Sequence, residues 1–274
     1  MNAIDQKFAE LRSSRSGALV PYVCAGDPDQ AFTIELVDAL AEAGADLVEL
    51  GLPFSDPVAD GPVIQGAMQR SLEGGFKVPH IFDVISTLRS RGLSVPIVLM
   101  TYYNPVLRFG VEDFCTALRD AGADGILVVD LPPEESDELD LAARSDGLRV
   151  IRLVAPSTAE ARLDAILAKA SGFVYAVSVS GTTGARETLP PSAGTLLARV
   201  VPKTGLPVVL GFGISEPAHV RTALAMGASG VVVGSKLISA YAERLRERRD
   251  ALEAARSFAR GMKAATLGTL GVYG

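Results

Sequence analysis

The chain has 274 residues, 48% of them hydrophobic and 21% charged, with a formal net charge of −6, a balance that supports a sizeable core and excludes a disordered chain. The acidic charge without a long basic run argues against a nucleic-acid footprint, and two histidines exclude a zinc site built on several of them. No apolar run reaches the ~18 residues of a membrane span and the amino terminus carries no secretory h-region, so a cytoplasmic protein is expected.

Residues 1–16 read as an extra helix ahead of the first strand, Leu19–Cys24. Cys24 lies in that apolar run as a small buried hydrophobe, and it and Cys115 have no disulfide-like or CxxC spacing. Ile34 to Ala43 reads as an amphipathic helix with Leu36, Ala39, Leu40 and Ala43 on one stripe and Gly44 as its stop. The second strand, Leu47–Leu50, is followed by an unusually long stretch, residues 52–80, with His80 near a helix start on the surface. Further strands are expected at Ile97–Met100, Ile126–Val129 and Val150–Val154. Ser157-Thr-Ala-Glu160 reads as a capping box opening a helix to Ala170. The sixth strand, Phe173–Val177, leads into a small-residue loop at 179–190. Val208–Leu210, a helix opened by Ser215-Glu-Pro217 and carrying a surface His219, and Val231–Val233 complete the alternation. Arg244 to Arg249, with acidic residues interleaved, reads as a solvated helix face.

A short phrase recurs. Ala43-Gly-Ala-Asp46, Ala121-Gly-Ala-Asp124 and Met226-Gly-Ala-Ser229 each close a helix and feed an apolar strand, so one αβ joint is used three times. Eight short apolar strands in strict alternation with helices, in about 250 residues, match a TIM barrel. The expectation is an α/β protein, a single (β/α)8 TIM barrel domain over residues 1–274, with an extra N-terminal helix and extended loops after strands two and six. A doubly wound open sheet is the alternative, but no GxGxxG follows a strand.

Two groups of residues carry chemistry. Gly184, Gly211-Phe-Gly213 and Gly234-Ser235 lie after strands six, seven and eight. In barrels these loops commonly bind phosphate, where glycines let backbone N–H groups approach the anion and Lys236 is not required. Any one glycine reads as well as a turn former. The second group is Glu49 in an apolar strand, Asp60 on its loop, Tyr175 in strand six and Asp130 after strand four. Burying a lone carboxylate is costly, and a barrel interior would raise Glu49 toward a working pH suited to proton transfer. A structural Glu paired with a buried donor explains it equally well. Asp60 reads alternatively as a helix N-cap before Pro62, Tyr175 as a core aromatic, and Asp130 as a turn organiser.

The run Leu47-Val-Glu-Leu-Gly-Leu-Pro-Phe-Ser-Asp-Pro-Val-Ala-Asp-Gly-Pro62-Val-Ile-Gln65, with Asp130-Leu-Pro-Pro-Glu-Glu-Ser136, Tyr175 before Ser180-Gly-Thr-Thr-Gly184, Gly211-Phe-Gly-Ile-Ser215 and Gly234-Ser235, resembles the tryptophan synthase alpha subunits, the indole-3-glycerol-phosphate lyases. The resemblance covers essentially the whole chain. It implies retro-aldol cleavage of indole-3-glycerol phosphate to indole and glyceraldehyde 3-phosphate in tryptophan biosynthesis, with no metal or cofactor in this chain. On it, Glu49 and Asp60 are catalytic. Tyr22, Met100, Leu127, Tyr175, Thr183 and Phe212 contact substrate, and Gly184, Gly213, Gly234 and Ser235 hold phosphate. It further implies an α2β2 complex with a beta subunit that carries pyridoxal phosphate. The loop Pro53–Asp60, through Pro53 and Asp56, and the loop Val179–Pro190 would couple the site to that partner. Tyr22 stands where such proteins commonly have Phe, and Thr182-Thr183 where Val-Thr is frequent.

Three other readings compete: a standalone lyase of the same substrate, a phosphate-binding barrel isomerase, and a non-catalytic barrel that only activates its partner. The Leu-Gly-Leu-Pro-Phe-Ser-Asp run speaks against the second, and the intact Glu49 and Asp60 against the third.

Overall fold

Strands and helices alternate through the computed structural model, which describes residues 1–177 and 189–268. The strands are β1 (Ala18–Cys24), β2 (Val48–Gly51), β3 (Ile97–Thr101), β4 (Gly125–Val128), β5 (Arg149–Val150), β6 (Arg152–Val154), β7 (Val174–Val177), β8 (Val208–Gly211) and β9 (Gly230–Val233). The α-helices are α1 (Ala3–Ser13), α2 (Gln30–Glu42), α3 (Pro62–Glu73), α4 (Val78–Ser90), α5 (Tyr103–Phe109), α6 (Val111–Ala121), α7 (Asp137–Ser145), α8 (Glu160–Lys169), α9 (Pro191–Val200), α10 (Pro217–Ala225), α11 (Ser235–Ala242) and α12 (Arg248–Ala264).

All pairings are parallel, in the order β5-β4-β3-β2-β1-β9-β8-β7-β6. The order begins and ends on two pieces of one chain segment, Arg149–Val150 and Arg152–Val154. The fifth expected strand is therefore divided at Ile151, because its first half pairs with β4 and its second with β7. The ring continues through the chain at that point, which gives the TIM-barrel architecture. β1 to β4, β8 and β9 are buried at every position, as strands covered by helices outside and packed side chains inside must be.

The repeated Gly-Ala-Asp phrase has a common geometry. Gly44, Gly122 and Gly227 have φ of 97–98°, which ends each helix where a Cβ would be strained. Two residues on, Asp46, Asp124 and Ser229 donate a backbone N–H to the carbonyl of Leu19, Ile97 and Val208. Their side chains accept the N–H of those same three residues. Ser171 makes the same two-point clasp on Val150. Lys263 and Arg89 neutralise Asp46 and Asp124.

α1 closes the amino-terminal end of the barrel. Ile4 is fully buried against Gly125 and Gly172, at the starts of β4 and β7, and the rings of Phe8 and Phe173 lie 5.7 Å apart. The opposite end is left for the long loops.

Several local expectations are corrected. No side-chain cap opens α8: Thr158 accepts from Ala155 instead, and Glu160 is drawn into ion pairs with Arg199 and Lys203. His219 is buried at 3% exposure, its Nδ1 accepting from the Ser215 N–H, whereas the surface expectation followed its helix position alone. Arg244–Arg249 straddles the turn between α11 and α12. Among the described residues no helix is long and apolar enough to cross a membrane.

Candidate active site

β2 carries Glu49 to the carboxyl-terminal mouth of the barrel. It pairs in register with Tyr22 on β1 and Val98 on β3. Glu49 is 1% exposed, and among the described residues neither of its carboxylate oxygens has a hydrogen-bond partner. That answers one alternative raised by the sequence, because the carboxyl is not held by a buried donor. Burial, then the charge of Asp60, pushes its pKa up to about 8.

Asp60 stands at the end of the loop after β2, also 1% exposed. It does not cap α3; the N-cap residue is Gly61, without a side-chain bond. Its Oδ2 instead accepts a 2.6 Å hydrogen bond from the Tyr102 hydroxyl, while Oδ1 has no partner among the described residues. Burial raises the Asp60 pKa and the Tyr102 bond opposes that rise. Tyr102 also ties the loop itself: its oxygen accepts from the Ala59 N–H at 3.0 Å, and its ring stacks on Phe54 at 5.0 Å.

Glu49 and Asp60 share a cavity with an empty volume of about 850 Å³, its mouth included. Tyr22, Met100, Tyr175 and Phe212 line it, with Gly213, Gly234 and Ser235. Carboxylates, an apolar slot and small backbone-exposing residues therefore converge from β1, β2, β3, β7, β8 and β9. Phe212 and Gly213 follow one another with φ of 69° and 77°, and a non-glycine residue held in this conformation is strain of the kind that clusters at functional sites. Phe212 packs on Tyr175 with ring centroids 6.2 Å apart. Gly234 precedes Ser235, the first residue of α11, so backbone N–H groups of that helix start face the cavity end.

Not every expected residue joins. Leu127 is in register with Met100 and shares its face of the sheet, but it is fully buried and does not line the cavity; the barrel wall absorbs it. Asp130 is exposed and accepts from the Tyr103 N–H, so it organises the turn into α5. Thr183 and Gly184 lie outside the described residues, as does Thr182. Pro53 is buried and Asp56 exposed on the loop after β2, and both line a surface depression with Phe54, Asn104, Pro105 and Arg108. Val58, on the same loop, is 83% exposed.

The cavity also takes Val63, Ile64, Ile214, Ser215, Val232, Lys236 and Ser239. Val232 was legible in principle, since it alternates with Gly234 along β9 and so shares its face. Ser239 lies one turn after Ser235, donating to its carbonyl. Lys236 is exposed and makes no ion pair among the described residues. Tyr102, the partner of Asp60, had only one signal: it immediately follows β3 on the catalytic face. Among the described residues no cluster of three or more His, Cys, Asp or Glu is arranged to hold a metal ion.

The family model described as tryptophan synthase alpha chain matches residues 8–267. The tryptophan synthase alpha chain of Chloroflexus aurantiacus is 49% identical over 238 residues, covering 87% of this chain and 89% of that protein. A solved structure of Mycobacterium tuberculosis tryptophan synthase superposes with a TM-score of 0.89 at 35% identity, covering 98% of each chain. A structure on the mutual activation of the tryptophan synthase α2β2 complex from Pyrococcus furiosus superposes with a TM-score of 0.85 at 44% identity, covering 91% of this chain and 98% of that one.

Proposed function

We propose how this site works from the premise that the chain belongs to the tryptophan synthase alpha chain family and is therefore a carbon–carbon lyase that cleaves indole-3-glycerol phosphate to indole and glyceraldehyde 3-phosphate. The observation that carries the reading is Glu49: a fully buried carboxyl whose two oxygens have no partner among the described residues, beside Asp60, in a cavity also lined by Met100, Tyr175 and Phe212.

Glu49 begins protonated. It gives its proton to carbon 3 of the indole ring, which leaves positive charge spread toward the ring nitrogen. Asp60 accepts a hydrogen bond from the indole N–H and stabilises that charge, a fixed electrostatic contact aimed at the transition state. The Glu49 carboxylate then takes the proton of the hydroxyl on the carbon attached to the ring. The carbon–carbon bond breaks, its electron pair returns to the ring, and the hydroxyl oxygen becomes the aldehyde. Protons balance, and Glu49 ends as it began. A pKa near 8 favours the protonated starting form at neutral pH.

Met100, Tyr175 and Phe212 flank the ring, and Gly213, Gly234 and Ser235 hold the phosphate through backbone N–H groups. The partner is a tryptophan synthase beta subunit in an α2β2 assembly, where pyridoxal phosphate would act on the released indole. The depression around Pro53 and Asp56 suits that contact, being apolar and polar by turns and continuous with the loop that ends at Asp60.

Incubating the chain with indole-3-glycerol phosphate and measuring indole, with and without a beta subunit, tests both claims. Indole production that the beta subunit increases is expected. No indole in either arm would reject the lyase reading, and equal rates in both would favour a standalone lyase.

A further inference from the structure

Tyr22 has a feature that an apolar ring slot does not require. Its side chain is 2% exposed, and its hydroxyl has no hydrogen-bond partner among the described residues. The neighbouring buried tyrosines differ: Tyr102 donates to Asp60 and Tyr241 to Asp27. A phenylalanine would fill the Tyr22 position without leaving a buried hydroxyl unsatisfied, which is a destabilising arrangement.

The hydroxyl has a definite place. A Cβ on Gly51 would stand 2.2 Å from it, so residue 51 must lack a side chain for the phenol to lie where it does. Gly51 and Glu49 are two residues apart on β2 and share one face of the strand. The Tyr22 hydroxyl therefore occupies the slot beside the Glu49 side chain, in the wall of the catalytic cavity. Burial, with the charges of Cys24, Asp60 and Glu49, holds the phenol well above its ordinary pKa, so it remains a hydrogen-bond donor at working pH.

The substrate has three kinds of polar group. The indole N–H goes to Asp60, and the phosphate to Gly213 and Gly234, which follow β8 and β9. The hydroxyls of the glycerol chain lie between these ends, and one must reach Glu49 to lose its proton. We propose that the Tyr22 hydroxyl donates a hydrogen bond to a hydroxyl oxygen of the substrate's glycerol chain, so that Tyr22 selects a hydroxylated chain over a deoxygenated one. This rests on the lyase reading above and assigns Tyr22 a polar contact rather than apolar lining alone.

The test uses Tyr22→Phe, which keeps the ring. Dissociation constants are measured in the Glu49→Gln background, so that nothing turns over, for indole-3-glycerol phosphate and for indole-3-propyl phosphate, which has the same ring and phosphate but no hydroxyls. The expected result is about a tenfold loss of affinity for the glycerol compound, the scale of one neutral hydrogen bond, and less than about a twofold change for the propyl compound. The Tm of the unliganded protein should match or exceed that of the parent, because an unpartnered buried hydroxyl is removed. Equal losses for both ligands, or no loss for either, would overturn the Tyr22 contact. Wild-type chain that forms no indole from the glycerol compound would overturn the lyase reading and this proposal with it; indole formation with equal losses rejects the Tyr22 contact alone.

Discussion

The Tyr102 hydroxyl donates to Asp60 Oδ2 at 2.6 Å and accepts from the Ala59 N–H at 3.0 Å, so one phenol fixes both the end of the β2 loop and the carboxylate it carries. The bond favours ionised Asp60. In Tyr102→Phe the ring can still stack on Phe54, but Asp60 loses its donor and takes up a proton at higher pH. If ionised Asp60 is the working form, kcat/KM should fall by about tenfold, and its acidic limb should move to higher pH. An unmoved acidic limb would disconnect Tyr102 from Asp60.

Glu49→Gln should lower indole formation by at least about 10²-fold, the lower end for a general acid–base group. The same variant should be more stable than wild type near neutral pH. The Glu49 pKa is raised to about 8 in the folded chain, so from its ordinary carboxyl value up to about 8 the folded state holds a proton that the unfolded chain releases. Stability from this group is full below the unfolded value and is lost as pH rises through the folded one, by ~1.4 kcal/mol per pH unit between the two. Urea unfolding of both proteins at pH 5 and pH 7 checks this. The difference between variant and wild type should grow by about 2–3 kcal/mol over that interval; a constant difference contradicts a protonated, buried Glu49.

The rate should follow the same titration with a defined sign. If protonated Glu49 starts the reaction, as proposed, kcat/KM should fall as pH rises through about 8. A profile of wild-type kcat/KM from pH 5 to pH 10 decides it. A rate that climbs through pH 8 to a plateau would mean that the carboxylate, acting first as base, is the competent form.

For phosphate, Gly213→Val should weaken binding of glycerol 3-phosphate far more than Lys236→Ala. Gly213 has a φ of 77° in the cavity wall, so a branched side chain both strains the backbone and crowds the anion, whereas Lys236 is exposed and the helix start supplies fixed N–H groups. Titrations of both variants against the ligand read this directly. The reverse order would transfer the main role to the lysine charge.

Asp56 sits on the loop that Tyr102 anchors, exposed, its carboxylate accepting from the Ser55 hydroxyl and its carbonyl from the Val58 N–H. Asp56→Ala should leave the basal rate of the isolated chain nearly unchanged and lower the stimulation by a beta subunit. If the loop couples the two sites through binding, a substrate analogue should also tighten the complex less, since linkage is reciprocal for binding free energies. The ratio of stimulated to basal indole formation, at saturating beta subunit, is the quantity to compare. An unchanged ratio with unchanged complex affinity would leave the loop without a coupling role.

Most of the barrel was legible because it rests on local pattern. Apolar runs mark strands covered on both faces, and the Gly-Ala-Asp phrase marks a helix stop followed by a strand clasp whose geometry repeats at Asp46, Asp124 and Ser229. Glu49 stood out because a carboxylate in such a run has no local partner. The remaining features depend on residues far apart in the chain. Tyr102 and Asp60 are separated by 42 positions, and Tyr22 lies over Gly51 from a different strand. His219 is buried by packing that its helix position does not reveal, and Glu160 is taken from a cap by Arg199 and Lys203, about 40 residues downstream. Periodicity records which face of an element is buried; it carries no record of which side chain arrives opposite, and hydrogen bonds and desolvation are settled by that arrival.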